Sequence, residues 1–476
     1  MTHFTRFFQR GGLPNSGSIV ATLLLAAGCQ TPVPQPTAEE SIALATGTGN
    51  AVVFREEGGA LDEPFQSAAL SASDALRLAV STDPSLQAAL ARVRVAMADA
   101  DQARLLPNPV LTIVYMWGPG LPQVQVSLMA ELIQCLQIPR KASAADNRLA
   151  RAAADAVTVA LDVVVEVQSR YAAVQAGDQL IPLLEDRLEL LNKLTQVARN
   201  RLDAGEGVRS DVTTLSAQRV ALEVEVADAR LQRREDRLRL ARLIGEPSSS
   251  GEWTLDSWSA PATDAHAESQ WVNAALLHRP EVQAVAWQLA ALGDEYALAN
   301  LAPWESLSVG AQTQRDEDSF FTGPALSSPI PIFDMGDAKR ARAKAEQMEA
   351  RHNLTLARRK VVEEVRVAYQ ALAGNLANLR RVQMELVPLQ QQRRQEAEDA
   401  YQAGQTDVTT VFLAEQDLEA SLAKSVDIEL QAVLSLMRLQ RAVGGPGVAA
   451  TVTGVAVTHA TIEPSLTVET AFVGAK

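Results

Sequence analysis

Few side chains in this chain could do covalent or metal chemistry, and their spacing limits them further. Two cysteines, Cys29 and Cys135, cannot supply a disulfide framework, and no two of the histidines His3, His266, His278, His352 and His459 stand at metal-ligand spacing. No GxSxG, Walker-type or GxGxxG pattern has the flanks such motifs need. Asp316 and Asp318 could serve as a general acid and base, yet they sit in a run of acidic residues that reads as a solvated loop. These absences argue against an enzyme and predict no catalytic residue, no cofactor and no bound metal. One nucleophile stands out by position: Cys29, directly after a short apolar run.

That run belongs to a targeting segment. Arg6 and Arg10 form a basic start, Ile19 to Ala27 a short apolar core, and Gly28 and Cys29 the cleavage region. Leu23-Leu24-Leu25-Ala26-Ala27-Gly28-Cys29 resembles a bacterial lipobox, with Ala26 where Leu is usual. The resemblance implies that the Cys29 thiol is acylated and becomes the new N-terminus. Gln30 follows where Asp would favour inner-membrane retention, which points to the outer membrane. Thr31 to Thr37, with three prolines, reads as an extended tether.

The elements behind these residues must come from a long, acidic, apolar-rich chain. It has 476 residues, 47% hydrophobic, with a formal charge of −14, which favours a folded structure and opposes a nucleic-acid surface. No window reaches the roughly 18 apolar residues of a spanning helix, so a membrane crossing would require strands.

The chain is written twice. Asp83-Pro84-Ser85-Leu86-Gln87-Ala88 returns 196 residues later as Arg279-Pro280-Glu281-Val282-Gln283-Ala284, and the same offset carries Pro107 onto Pro303. An offset of 199 takes Ala204-Gly205 onto Ala403-Gly404 and Pro247 onto Pro446. Proline and glycine landing together mark matching helix ends, because backbone sterics place them there.

Each copy reads as helix, strand, strand, long helix, turn, helix. In the first, a helix over Ser73 to Leu106 stops at Pro107-Asn108-Pro109. Leu111, Ile113, Tyr115 and Trp117 then share one face, Gly118-Pro119-Gly120 turns, and Val124, Val126, Leu128, Ala130 and Leu132 alternate with Gln123, Gln125, Ser127, Met129 and Glu131. In the second, Leu307, Val309, Ala311 and Thr313 alternate with polar residues, and a weaker strand spans Phe321 to Ile330. These segments suit lipid on one side and water on the other, and a half-buried hairpin fits equally. Four strands cannot close a barrel, so a membrane reading demands an oligomer. Helical stretches follow at Ala142 to Ala204 and Ala338 to Ala403, roughly 90 to 100 Å each at 1.5 Å per residue. Leu184, Leu188, Leu191, Thr195, Ala198 and Leu202 form a coiled-coil stripe, while Pro182 and Pro388 predict kinks or breaks. Gly205 and Gly404 mark hairpin tips, from which Asp211 to Ile244 and Thr410 to Val443 return.

With the duplicated plan, Leu105-Leu106-Pro107-Asn108-Pro109-Val110-Leu111, the Ala-Gly tips and the run Gly323 to Gly336, the chain resembles the TolC-type outer-membrane efflux channel family. The resemblance implies a mainly α fold with a transmembrane β-barrel: a homotrimer with a 12-stranded barrel continued by a periplasmic α-helical tunnel. It implies passive conduction, powered by an inner-membrane pump of the resistance-nodulation-division type and bridged by a periplasmic adaptor (membrane fusion) protein. Outer-membrane lipid and the periplasm of a Gram-negative bacterium would be its surroundings. The organisation expected is a signal over 1–28, a lipidated tether over 29–70, repeats over 71–247 and 271–446, an equatorial linker over 248–270 and a tail over 447–476. Leu136 to Lys141, read as a turn, and Pro-Ile-Pro-Ile-Phe resemble the heavy-metal cation branch most, though drug and solvent branches share much of this.

The family's tip motif falls on Gly205, Val208, Ser210 and Asp211 at one tip and Gly404, Gln405 and Thr406 at the other, which the resemblance assigns to adaptor docking. Ser210 or Asp211 could instead cap the returning helix. Family channels can carry an acidic ring past the second tip, but Thr410 and Leu413 stand there, leaving Asp407 and Glu415 as gate candidates. The rival reading is a lipid-anchored periplasmic coiled-coil scaffold without a pore.

Overall fold

The computed structural model describes residues 37–48, 52–55, 69–118, 123–257, 267–316 and 319–453. Cys29, the signal segment, the Pro119-Gly120 turn residues and most of the C-terminal tail lie outside the described residues, as do His3, His266 and His459.

In chain order the elements are α1 (Ala38–Thr46), β1 (Ala69–Leu70), α2 (Ala72–Thr82), α3 (Pro84–Ala103), β2 (Val110–Met116), β3 (Gln123–Glu131), α4 (Leu132–Asp203) and α5 (Arg209–Leu243). Then come β4 (Thr254–Leu255), α6 (Glu268–His278), α7 (Pro280–Ala299), β5 (Ser308–Asp316), β6 (Ser319–Ser327), α8 (Asp337–Arg381), α9 (Val387–Gln402), α10 (Val408–Val443) and α11 (Pro446–Thr453). The duplication is visible in the lengths: α2 and α6 both have 11 residues, α3 and α7 both have 20, and α5 and α10 have 35 and 36.

Several boundaries differ from the sequence reading, each for a local reason. The single helix expected over Ser73 to Leu106 is two, because Asp83 ends α2 and caps α3. Its carboxylate accepts the N–H groups of Ser85 at 2.8 Å and Leu86 at 3.1 Å, with Pro84 in the first helical position. Trp117 and Leu132 fall just outside their strands, and Leu307 lies just before β5. The helix α4 starts directly from β3, ten residues before the expected Ala142, so Leu136 to Lys141 is helical rather than a turn. Its 72 residues span about 108 Å. α4 runs unbroken through Pro182, whereas Pro388 is preceded by a π-turn over Val382–Leu386 in which the Val387 N–H bonds the Val382 carbonyl. Proline crowds the carbonyl four residues back, and the wider turn accommodates it. The acidic loop contracts to 317–318, since Asp316 ends β5 in register with Ser319 of β6. Within the stretch read as tether, α1 is folded: Ile42 has no exposure and joins a core with Leu86, Leu90, Leu161 and Val164.

The described residues from 38 to 453 form one compact unit. The coiled-coil stripe is realised as a core of Leu184, Leu191, Leu194, Leu222 and Val226, joining α4 to α5, with Leu188 and Phe412 packed against it. A second core holds α2, α4 and α5 together around Tyr171, Leu240 and Trp253. Its counterpart in the second copy joins α6, α8, α10 and α11 around Trp271, Val365 and Leu439. Among the described residues, no helix is long and apolar enough to cross a membrane.

Candidate functional site

The four long strands make one antiparallel sheet in the order β2-β3-β5-β6, so the hairpins of the two copies pair through β3 and β5. Register decides what each face carries. Leu111, Ile113 and Tyr115 face Leu128, Val126 and Val124, which face Ala311, Thr313 and Arg315, which in turn face Pro324, Thr322 and Phe320. This face is mostly apolar, with Thr313, Thr322 and Arg315 the exceptions, and its outer members are bare: Leu111 is 59% exposed, Ile113 64% and Phe320 70%. Across the opposite face run the rows Thr112, Ser127, Gln312, Gly323 and Val114, Gln125, Gln314, Phe321. Its two central strands carry glutamine and serine. The alternation seen within each hairpin is therefore coherent across both.

Among the described residues, neither β2 nor β6 has a strand partner on its outer edge. Aromatic rings gather at the end of the sheet nearest the hairpin turns. Tyr115 and Trp117 meet edge to face with centroids 4.8 Å apart, and the Arg315 guanidinium lies 5.6 Å over Phe320. Apolar rings with polar handles at a sheet's end suit a boundary between lipid and water. At the other end, the Pro-Ile-Pro-Ile-Phe run leaves Ile330, Ile332 and Phe333 exposed.

Below the sheet, the two copies are joined by buried charge. Asp294 of α7 accepts from Arg140 at 3.0 Å, from Ser143 at 2.6 Å and from Asn147 at 3.4 Å, all on α4. Arg441 of α10 binds Asp162 of α4 and Glu281 of α7, each at 2.7 Å, and the buried Arg279 holds Glu281 at 3.1 Å and also Glu364. Burial would raise the Glu281 carboxyl, but Arg441 and Arg279 outweigh it and hold it below the usual range. Around the middle of α4, the buried Tyr171 hydroxyl donates to the Leu70 carbonyl and accepts the Asp256 N–H, each at 2.9 Å. It ties β1 to the segment after β4, and burial pushes its phenol up to about 12. Arg237 grips the same segment at the Gly251 and Trp253 carbonyls, at 2.8 and 2.9 Å, and binds Asp178. Sequence reading missed these joints. Their signal was an acid or cation in an otherwise apolar helical stretch, as Asp294 is beside Glu295, and no pattern names the partner.

At the tips the expected reversals are present. Gly205 and Gly404 have φ of +78° and +69°, and both helices end alike: the Glu206 N–H reaches the Arg201 carbonyl and the Gln405 N–H the Ala400 carbonyl, at 2.8 and 2.9 Å. Ser210 and Asp211 do not cap α5; its N-cap is Val208, and Ser210 instead bonds the Asp211 carboxylate at 3.3 Å. Val208, Ser210 and Asp211, and Gln405 on the other tip, are exposed, while the Thr406 hydroxyl donates to the Asp407 carbonyl at 3.1 Å. Asp407 is the N-cap of α10 but makes no side-chain cap bond; its carboxylate pairs with Arg201 of the other tip. Glu415 pairs with Arg394 of α9 at 3.5 Å, and Asp417 with Arg393. Both gate candidates are thus in ion pairs. Beside them, burial raises the Glu419 carboxyl, helped by Asp186 and Glu415. Cys135 is a free, half-buried thiol on the first turn of α4.

An open sheet with one mostly apolar face thus continues into helical stretches about 100 Å long. Residues 271–445 match the family model of the outer membrane efflux proteins. Over those residues the chain is similar to the outer membrane efflux proteins. The pyoverdine export outer membrane protein OpmQ of Pseudomonas aeruginosa is 27% identical over 91% of this chain and 97% of its own. The multidrug resistance outer membrane protein MdtP of Escherichia coli O6:H1 is 25% identical over 69% of this chain and 70% of its own. Among solved structures, the outer-membrane channel OprN superposes with a TM-score of 0.65 at 20% identity, covering 79% of this chain and 90% of that one. The outer membrane protein VceC of Vibrio cholerae gives 0.65 at 18% identity, covering 79% and 96%.

Proposed function

We propose that three copies of this chain close a 12-stranded barrel in the outer membrane, through which substrates handed over by an inner-membrane pump and a periplasmic adaptor leave the cell. The observation that carries the barrel is the sheet: four antiparallel strands with two unpaired edges, one apolar face and one glutamine and serine face. Lipid tolerates strands only when every edge is paired, so β6 of one copy must meet β2 of the next. The apolar face with Leu111, Val126 and Leu128 then meets lipid, and the face with Gln125 and Gln314 meets water. The rival scaffold reading gives this sheet no task.

Energy comes from the pump, so the channel's own work is to open. Gly205, Val208, Ser210 and Asp211 on one tip and Gly404, Gln405 and Thr406 on the other form the adaptor docking surface. Asp407, tied to Arg201, and Glu415, tied to Arg394, hold the closed end until docking draws the tips apart. Cys29 carries the lipid anchor. The relatives' names support export of multidrug-type compounds or of pyoverdine, and the sequence resemblance to the heavy-metal branch adds metal cations. The deciding experiment places one cysteine on the edge of β2 and one on the edge of β6 in the full-length chain lacking Cys135. Disulfide-linked trimers in outer membranes support the barrel; a chain that inserts and stays monomeric refutes it. Loss of fatty-acid labelling in Cys29→Ala tests the anchor, and sensitivity of a deletion strain across metals, drugs and detergents assigns the cargo.

A further inference from the structure

The water-facing side of the sheet carries almost no charge. Alternation places Gln123, Gln125, Ser127, Met129 and Glu131 of β3 on it, with Ser308, Gly310, Gln312 and Gln314 of β5 opposite. Among the described side chains of this face, Glu131 is the single ionisable one. It sits at the end of β3 where the sheet gives way to α4, half-buried, in register with Ser308. It makes no ion pair among the described residues and no side-chain bond to the helix it precedes, although it occupies the N-cap position. A carboxylate there gains something from the helix dipole, which is the plain structural role. An unpaired charge at the mouth of an amide-lined passage also sets the local potential for everything that passes.

We infer that Glu131, repeated by the three-fold axis, forms an acidic ring at the inner mouth of the barrel that favours cationic and zwitterionic solutes over anions, ahead of central rows of amide and hydroxyl side chains. This rests on the proposed trimeric channel. Twelve strands spaced about 4.8 Å and tilted about 40° put the backbone roughly 12 Å from the axis. The Debye length is about 30 Å at 0.01 M salt and about 3 Å at 1 M. At low salt the ring's field therefore spans the opening, and at high salt it collapses onto the wall. Rings of Asp or Glu give cation preference in other channels by the same physics.

The test is the reversal potential of full-length protein in planar bilayers under a tenfold KCl gradient. Wild type should favour potassium over chloride at low salt and lose much of that preference at 1 M. Glu131→Gln should bring the permeability ratio toward one and Glu131→Lys should invert it, while Glu131→Asp retains it. Ser308→Glu in the Glu131→Gln background separates the two roles, because it returns the carboxylate to the same face on the neighbouring strand without restoring the N-cap. Recovery of the wild-type ratio supports the ring. A conducting trimer whose reversal potential ignores position 131 overturns this inference alone. A folded trimer that never conducts, even with the tip pair released by Asp407→Asn, overturns the channel reading as well.

Discussion

The assignment of faces makes a quantitative demand on Leu128. It lies one residue beyond the midpoint of the nine-residue β3. At about 3.4 Å per residue and a tilt near 40°, that is within about 3 Å of the middle of the membrane-crossing strand. Its cross-strand neighbours on the same face are Leu111 and Ala311, so an arginine there finds no carboxylate and no water. Leu128→Arg should cost about 2 to 4 kcal/mol per chain, and so roughly 6 to 12 kcal/mol per trimer. Gln125→Arg, three residues away but on the opposite face beside Gln314, should cost within about 0.5 kcal/mol. Urea titration of protein folded into phospholipid vesicles reads the difference as a shift in midpoint at constant slope. Equal midpoints for the two variants would refute the assignment of lipid and water faces, and a reversed order would exchange them.

Tyr171 gives a pH signature. Its folded phenol is raised from 10.0 to about 12, so the stability it contributes is complete below pH 10 and is lost as pH rises through the folded value. Tyr171→Phe strands a buried carbonyl and an N–H, costing about 1 to 3 kcal/mol at pH 8, and its deficit against wild type in thermal melts should shrink between pH 10 and 12; a constant deficit would contradict the buried bridge. Gly404→Trp meets open space, because nothing lies within 4 Å of an added Cβ, so its cost is the positive φ, about 1 to 2 kcal/mol. It should leave trimers in the membrane and abolish efflux, whereas normal efflux would remove this tip from the docking site. Gly445→Ala should instead prevent folding, since its Cβ would stand 2.3 Å from the Ala45 carbonyl oxygen and 2.6 Å from Leu161; a well-folded variant in a protease-resistance assay would sink that account. Asp407→Asn breaks an exposed pair worth at most about 1 kcal/mol, so melting should barely move while resting conductance rises; unchanged conductance would exclude Asp407 from the gate.

What the sequence made legible were features carried by neighbours along the chain. Alternation located β2 and β3 within a residue or two, proline and glycine located the tips, and a step of three and four residues located the seam at Leu184 and Leu191. The errors share a cause. Asp83 satisfies two helix ends at once, so a break appears where composition is uniformly helical. Leu136 to Lys141 carries Pro139 and reads as a turn, yet a long helix packed against α7 overrides one missing donor. Pro182 and Pro388 look alike in sequence but only the second is preceded by a π-turn, because the surrounding packing decides how the lost bond is absorbed. The tips were legible as turns, while the pairing of Asp407 with Arg201 was not, since it joins residues 206 apart in sequence.

The two copies show how a duplication becomes one conduit. The position of Asp83 in the first copy is Arg279 in the second, and the exchange changes the range of the interaction rather than the helix it begins. Asp83 serves its own chain neighbours through Ser85 and Leu86. Arg279 makes no side-chain cap and turns to Glu281 and Glu364, while Glu281 reaches Arg441, which binds Asp162 of the first copy. A local cap stabilises one helix; a chain of ions anchored on the buried Arg279 and running through the part-buried Glu281 and Arg441 to the exposed Asp162 helps fix where two repeats meet. A pair of repeats joined only by apolar stripes of alanine and leucine could slide by a turn at little cost. The ionic joint below the sheet removes that freedom, and with it the two hairpins are held in the register that gathers Leu111, Ile113, Val124, Val126, Leu128 and Ala311 on one face.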